Sequence, residues 1–241
     1  MVQMCHLSLL YSFVVPVHSL HTEMNQLTLD KDQFKKRQLF GGALTISIPS
    51  EWRDVSDVRQ VPDNQEVYQD CTVNQGQENS LVGTGGCIIV EILERQNVSD
   101  EEAASFFFWD LAQANGGGSN AEKKKGLIYN KIFNVGISEG GEGDSVNDSN
   151  LMPVLTRKVK ACTCIGKQSI GPLRGQAKTE KADKVQIELC AVRLASIETD
   201  LLITLTMPCC EKRQEDGKHD LSSLFRAMLK SFKVEDWTLF A

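Results

Sequence analysis

Apolar and polar positions alternate along this chain in two rhythms. Gln38 to Ile48, QLFGGALTISI, keeps the period of two of a strand and stops at Pro49. Gln65 to Val73 predicts a second strand. CIIVEIL, Cys87 to Leu93, predicts a buried one. Leu127 to Ile137, Pro153 to Ser169, Lys184 to Ala195 and Asp200 to Met207 are strand-like as well, with Gly, Asn, Asp and Lys in the loops between. Glu198 to Asp200 is short enough for a hairpin turn. Glu51 to Arg59 suits a short helical turn.

Two stretches carry the helical rhythm instead. Ser99-Asp-Glu-Glu102 has the form of a capping box, in which the Ser99 hydroxyl accepts from the Glu102 amide and the Glu102 carboxylate reaches back. That helix is expected to run to about Asn115, where GGGS ends it. Its FFFW cluster, Phe106 to Trp109, covers more than one face, as a helix wedged into a core requires. A second helix is expected over His219 to Phe232. There Leu221, Leu224, Phe225, Met228, Leu229 and Phe232 form one apolar stripe that must face a sheet. Burying each of these side chains is worth about 1.5–3 kcal/mol before entropy costs. Strands, a helix, more strands and a helix, joined by short links, imply an α+β layered domain on an antiparallel sheet.

Residues 1–37 read as a separate extension, disordered or targeting, ahead of a single domain over 38–241. LSLLYSFVVPV resembles the core of a signal peptide, but no Lys or Arg precedes it and Pro16 interrupts its end. The stretch LDKDQFKKR reads as a polar linker. No apolar run approaches the roughly 18 residues needed to span a bilayer.

The formal net charge is −6, and the part from Gln38 onward carries 22 bases against 29 acids. An acidic body argues against nucleic acid and fits a basic protein partner. Eight Cys include Cys162-x-Cys164 and Cys209-Cys210, which are not zinc spacings. Buried free thiols are the expectation. Three of the four His lie in the first 21 residues, so catalysis by imidazole would rest on His219 alone. The glycines of VGTGGCIIV precede a strand, whereas a phosphate loop opens a helix; GPLRGQAK lacks the G-K-[ST] ending. No cofactor or metal is expected. The sequons at Asn97 and Asn147 matter only in a secreted chain.

The remaining feature is DVRQVPDNQEVYQD, Asp57 to Asp70, with four acids around one Pro. Val61-Pro62-Asp63-Asn64 has turn chemistry, with Pro fixing φ at the second position. A carboxylate pair for hydrolysis would need a deep aromatic-lined cleft. Held on a turn, the acids would lose less entropy on meeting a basic partner. Asp63 and Glu66 are spaced to point the same way, and Arg59 could brace one of them.

QLFGGALTISIP, DVSDVRQVPDNQEVY, IIVEILE, ELCAVRLASIETDLLITLTMP and KSFKVEDWTLFA, in that order, resemble the Ran guanine-nucleotide release factor family, the Mog-one proteins. The resemblance covers about Gln38 to Ala241, and VPDNQEV is its most specific motif. It implies an antiparallel sheet with helices on both faces, similar to the photosystem accessory protein PsbP. It also implies binding to the small GTPase Ran, release of Ran's guanine nucleotide and support of nuclear transport, without catalysis, by a monomer in nucleus and cytoplasm. The family's motif acids fall here on Asp63 and Glu66; Asp57, Arg59 and Gln65 are expected neighbours in the contact. The first 37 residues have no counterpart, and loops near Asn74–Gly86 and Gly140–Asn150 exceed what the core needs. The rivals are a PsbP-type lumenal accessory protein and a carboxylate hydrolase.

Overall fold

The structure is a computed structural model that describes residues 33–71, 85–115, 127–135, 151–152, 159–170, 183–209 and 221–240. The expectations for residues 1–32, the Gly140–Asn150 and Gly171–Lys178 stretches, the Asn147 sequon and His219 lie outside these residues.

A seven-stranded antiparallel sheet forms the centre. Its strands are β3 (Arg53–Asp54), β4 (Gln65–Gln69), β5 (Cys87–Glu94), β6 (Leu127–Val135), β7 (Val159–Ile170), β8 (Asp183–Leu194) and β9 (Thr199–Pro208). Their order is β3-β4-β5-β9-β8-β7-β6. A second antiparallel sheet has the order β1-β2-β10, from β1 (Phe34–Leu39), β2 (Leu44–Pro49) and β10 (Lys233–Val234). Helix α1 spans Ala103–Ala114 and α2 spans Ser223–Ser231.

The uninterrupted apolar runs follow from covering the central sheet on both sides. Successive side chains of a strand point to opposite faces. Ile88 and Val90, Cys190 and Val192, and Leu201, Ile203 and Leu205 join one core with the α2 residues Leu224, Phe225, Met228 and Leu229 and with Leu44, Ile46 and Ile48 of β2. Their alternates Cys87, Ile89, Ile187, Leu189, Ala191 and Leu202 join a second core with Ala103, Ala104, Phe107, Phe108 and Leu111 of α1. The α2 stripe is buried at all six positions from Leu221 to Phe232. The Ser222 side chain caps α2, accepting from the Phe225 amide at 3.1 Å.

Four local expectations change. Gln38 to Ile48 is not one strand but parts of β1 and β2 joined by a tight turn, where Phe40, Gly41 and Gly42 have φ of 48°, 65° and 98°. Only a chain free to enter the left-handed region turns back in so few residues. Phe34 to Arg37, expected in the linker, belong to β1, paired against Ile46 to Pro49. In the stretch from Glu51 to Arg59, Arg53 and Asp54 pair with β4. One turn then closes on the Val55 carbonyl, which accepts from the amides of Val58 and Arg59. The capping box does not form: the Ser99 hydroxyl donates to the Glu102 carboxylate at 2.9 Å, and the Glu102 amide donates to the Ser99 carbonyl. Ser99 lies one turn too early, and α1 starts at Ala103.

The segment entering α1 is held by charge instead. Arg193 and Asp200 face each other across β8 and β9, both buried, with Nε 3.1 Å from Oδ1. The Arg193 Nη2 donates to the carbonyls of Gln96 and Val98, and Asp200 Oδ2 accepts from the Gln96 amide. Asp100 adds ion pairs to Arg95, Lys160 and Arg193.

Candidate partner-binding site

The VPDNQEV segment turns one residue later than its Pro suggests. The Gln65 amide donates to the Pro62 carbonyl at 2.9 Å, which puts Asp63 and Asn64 at the corner. Asn64 then fastens the corner to β5: its carbonyl accepts from the Ile92 amide, and its side-chain amide donates to the Ile92 carbonyl. The Val55 amide donates to the Val67 carbonyl, tying the preceding turn to β4. Both turns are thus anchored to strands of the central sheet.

These anchors decide where each expected residue points. Asp63, at the corner, and Asp57, on the preceding turn, are exposed. Val58 beside Asp57 is 80% exposed, a large apolar side chain in open solvent. No hydrophobic period singles it out in the sequence. Arg59 is half-buried, and burial lowers its pKa beside the Cys87 thiol. Gln65 points inward at 4% exposure and donates to Glu91 Oε1 at 2.7 Å. It supports the corner from below through Glu91.

Glu66 lies on the opposite side of β4 from Gln65, half-buried. Its Oε1 accepts from the Phe40 backbone amide at 2.6 Å. Burial raises the Glu66 pKa, the Phe40 bond opposes this, and Asp54 pushes it further up. Tyr68, two residues on, lies under the Arg37 guanidinium at 5.4 Å. Burial and the carboxylates of Asp54 and Glu66 push its hydroxyl up to about 12. Arg37 itself donates to the carbonyls of Ser50 and Trp52. No ion pair within the described residues closes off Asp63 or Glu66.

An open groove beside Tyr68 is lined by Lys35, Lys36, Arg37 and Glu235, among others; neither Asp63 nor Glu66 lines it. Among the described residues, no three His, Cys, Asp or Glu converge as metal ligands. Cys87, Cys162, Cys164 and Cys190 are buried free thiols whose pKa values burial raises. The site offers a braced corner with carboxylates and one apolar side chain outward.

Residues 37–208 match the family model described as Ran-interacting Mog1 protein. The chain is 31% identical over 173 residues to the Ran guanine nucleotide release factor of Danio rerio, covering 71% of this chain and 77% of that protein. It is 28% identical over 216 residues to the nuclear import protein MOG1 of Saccharomyces cerevisiae, covering 86% and 85%. The crystal structure of the Saccharomyces cerevisiae Ran-binding protein Mog1p superposes with a TM-score of 0.55 at 25% identity, covering 86% of this chain and 98% of that one.

Proposed function

Because this chain belongs to the Ran-interacting Mog1 protein family, we propose that it binds the small GTPase Ran and promotes release of its guanine nucleotide in support of nucleocytoplasmic transport. The observation that carries the reading is the corner at Asp63, braced by Asn64 and Gln65 and turned to solvent inside the matched residues. Asp63, Glu66 and Asp57 are the proposed partner contacts, with Val58 as an apolar contact beside them. Arg59 and Gln65 act from behind.

A GTPase holds its nucleotide through a phosphate-loop Lys and Mg²⁺. A protein that binds the nucleotide-free form more tightly than the loaded form shifts the population toward release. Carboxylates braced on a corner can take basic groups of Ran that otherwise serve the nucleotide, with little ordering cost. Truncating one member of a desolvated interfacial charge pair costs about 2–5 kcal/mol. No covalent bond changes, so the activity is not enzymatic. The place of action is nucleus and cytoplasm, and the acting form is a monomer.

The test is capture of purified Ran, with and without nucleotide, alongside release of a fluorescent guanine nucleotide. The native chain is expected to retain nucleotide-free Ran and to accelerate release. Asp63→Ala combined with Glu66→Gln is expected to do neither while keeping the fold. Glu66→Gln is preferable to Ala because a Gln carbonyl still accepts from Phe40. Undiminished binding by the folded double variant overturns the reading.

A further inference from the structure

Among the described residues, Glu66 accepts its hydrogen bond from a backbone in an unusual state. Phe40 has φ of 48°, and Gly41 and Gly42 follow at 65° and 98°. A bulky residue at positive φ is strained and persists where its surroundings over-determine it. The surroundings are visible. The Phe40 side chain packs against the larger core, its carbonyl accepts from the Ala43 amide at 3.2 Å, and its amide meets Glu66 Oε1 at 2.6 Å. The turn joins β1 to β2 of the smaller sheet, while Glu66 belongs to β4 of the central sheet. A single charge-assisted hydrogen bond therefore crosses between the sheets and holds one carboxylate oxygen.

We propose that the Phe40–Gly42 turn is a positioning element of the Ran-docking surface: the Phe40 amide holds Oε1 of Glu66 and so fixes the direction in which Oε2 meets a basic group of the partner. This rests on the proposed Ran contact of Glu66. Without the bond, the three side-chain torsions of Glu66 are free, and ordering them on binding weakens affinity by up to about tenfold. Gly41 and Gly42 then influence affinity without touching the partner.

The test uses Gly41, where an added Cβ meets nothing within 4 Å and the φ of 65° strains a side-chain-bearing residue. A β-branched residue is poorly accommodated at φ of 65°, whereas Asn tolerates it. Full-length Gly41→Val, Gly41→Asn, Glu66→Ala, Asp63→Ala and the combinations of Gly41→Val with each acid variant are titrated against nucleotide-free Ran. Gly41→Val is expected to weaken binding about tenfold, the upper end of the cost of ordering one freed side chain on binding. Gly41→Asn recovers most of that loss. In the Glu66→Ala background, Gly41→Val has no further effect; in the Asp63→Ala background its tenfold loss is added in full. The Phe40 amide proton, assigned by NMR in the free chain, moves upfield in Gly41→Val and in Glu66→Ala alike. Should Gly41→Val not fold, Gly41→Ala carries the same cycle with a smaller strain.

Additive losses of Gly41→Val and Glu66→Ala overturn the proposal, as does native affinity in a Gly41→Val chain whose Phe40 amide has moved. Either result leaves the Ran reading standing. Failure of the native chain to bind Ran overturns that reading instead.

Discussion

Gln65 and Glu91 face each other across β4 and β5, and the Gln65 amide donates to the Glu91 carboxylate at 2.7 Å beneath the acidic corner. Glu91 is 1% exposed. Burial raises its pKa to about 7, with Asp110 pushing the same way, against hydrogen bonding from Gln65 and Asn64. The residue that sets the corner's depth is thus itself set by a carboxyl group that resists ionisation.

That gives stability a pH dependence of definite sign. Below the unfolded carboxyl range, near 4.5, Glu91 is neutral in both states and contributes no penalty. Between there and about 7 the unfolded chain loses the proton while the folded chain keeps it, so stability falls as pH rises. The span corresponds to about 3 kcal/mol. Glu91→Gln keeps an acceptor for Gln65 and removes the titration. Urea unfolding is expected to show Glu91→Gln gaining on the native chain between pH 5 and pH 8. An advantage that does not change with pH contradicts this assignment.

Val58 tests the apolar part of the docking surface. A side chain 80% exposed contributes little to folding, so Val58→Ser should change stability by no more than about 0.5 kcal/mol. Buried at an interface, the same side chain contributes up to about 1.5 kcal/mol through its apolar area. Ran binding measured by calorimetry should weaken several-fold while the melting temperature stays put. Unaltered affinity removes Val58 from the surface.

The Arg193–Asp200 pair predicts a stability defect with no direct effect at the acidic corner. Arg193→Met strands a buried carboxylate and releases the carbonyls of Gln96 and Val98. Breaking one side of a buried pair costs about 3–5 kcal/mol. Denaturant unfolding should show this loss, and Arg193→Met with Asp200→Leu should recover part of it. The remaining folded protein should bind Ran with native affinity.

Gly86 carries a packing requirement. A Cβ there would meet Met207 Sδ at 2.6 Å and the buried Trp52 ring at 2.7 Å. Met207 can swing away, but the Trp52 ring is fully enclosed. Gly86→Ala is expected to destabilise by about 1–3 kcal/mol, the usual range for overpacking, read from the denaturation midpoint. The terminal glycine of VGTGGC is therefore a packing residue of the core.

Much of the molecule was legible before any coordinates. The apolar runs of β5, β8 and β9 match burial on two faces, and the stripe of α2 matches burial on one, because each pattern depends only on neighbours one to four residues away. The acidic corner was legible for the same reason: Pro, Asp and Asn have local backbone preferences that a short stretch expresses by itself. Other features depend on partners far along the chain. Whether Gln65 points in or out was settled by the strand register that places it opposite Glu91, and Glu66 by the Phe40 amide 26 residues away. The glycines in QLFGGAL mark a turn, yet apolar residues flank them on both sides, so a single strand and a hairpin look alike until β1 is paired with β2. Periodicity is carried by the chain's own neighbours; hydrogen-bond partners, burial of a charge and the direction of a carboxylate arise only when separate elements are brought into contact.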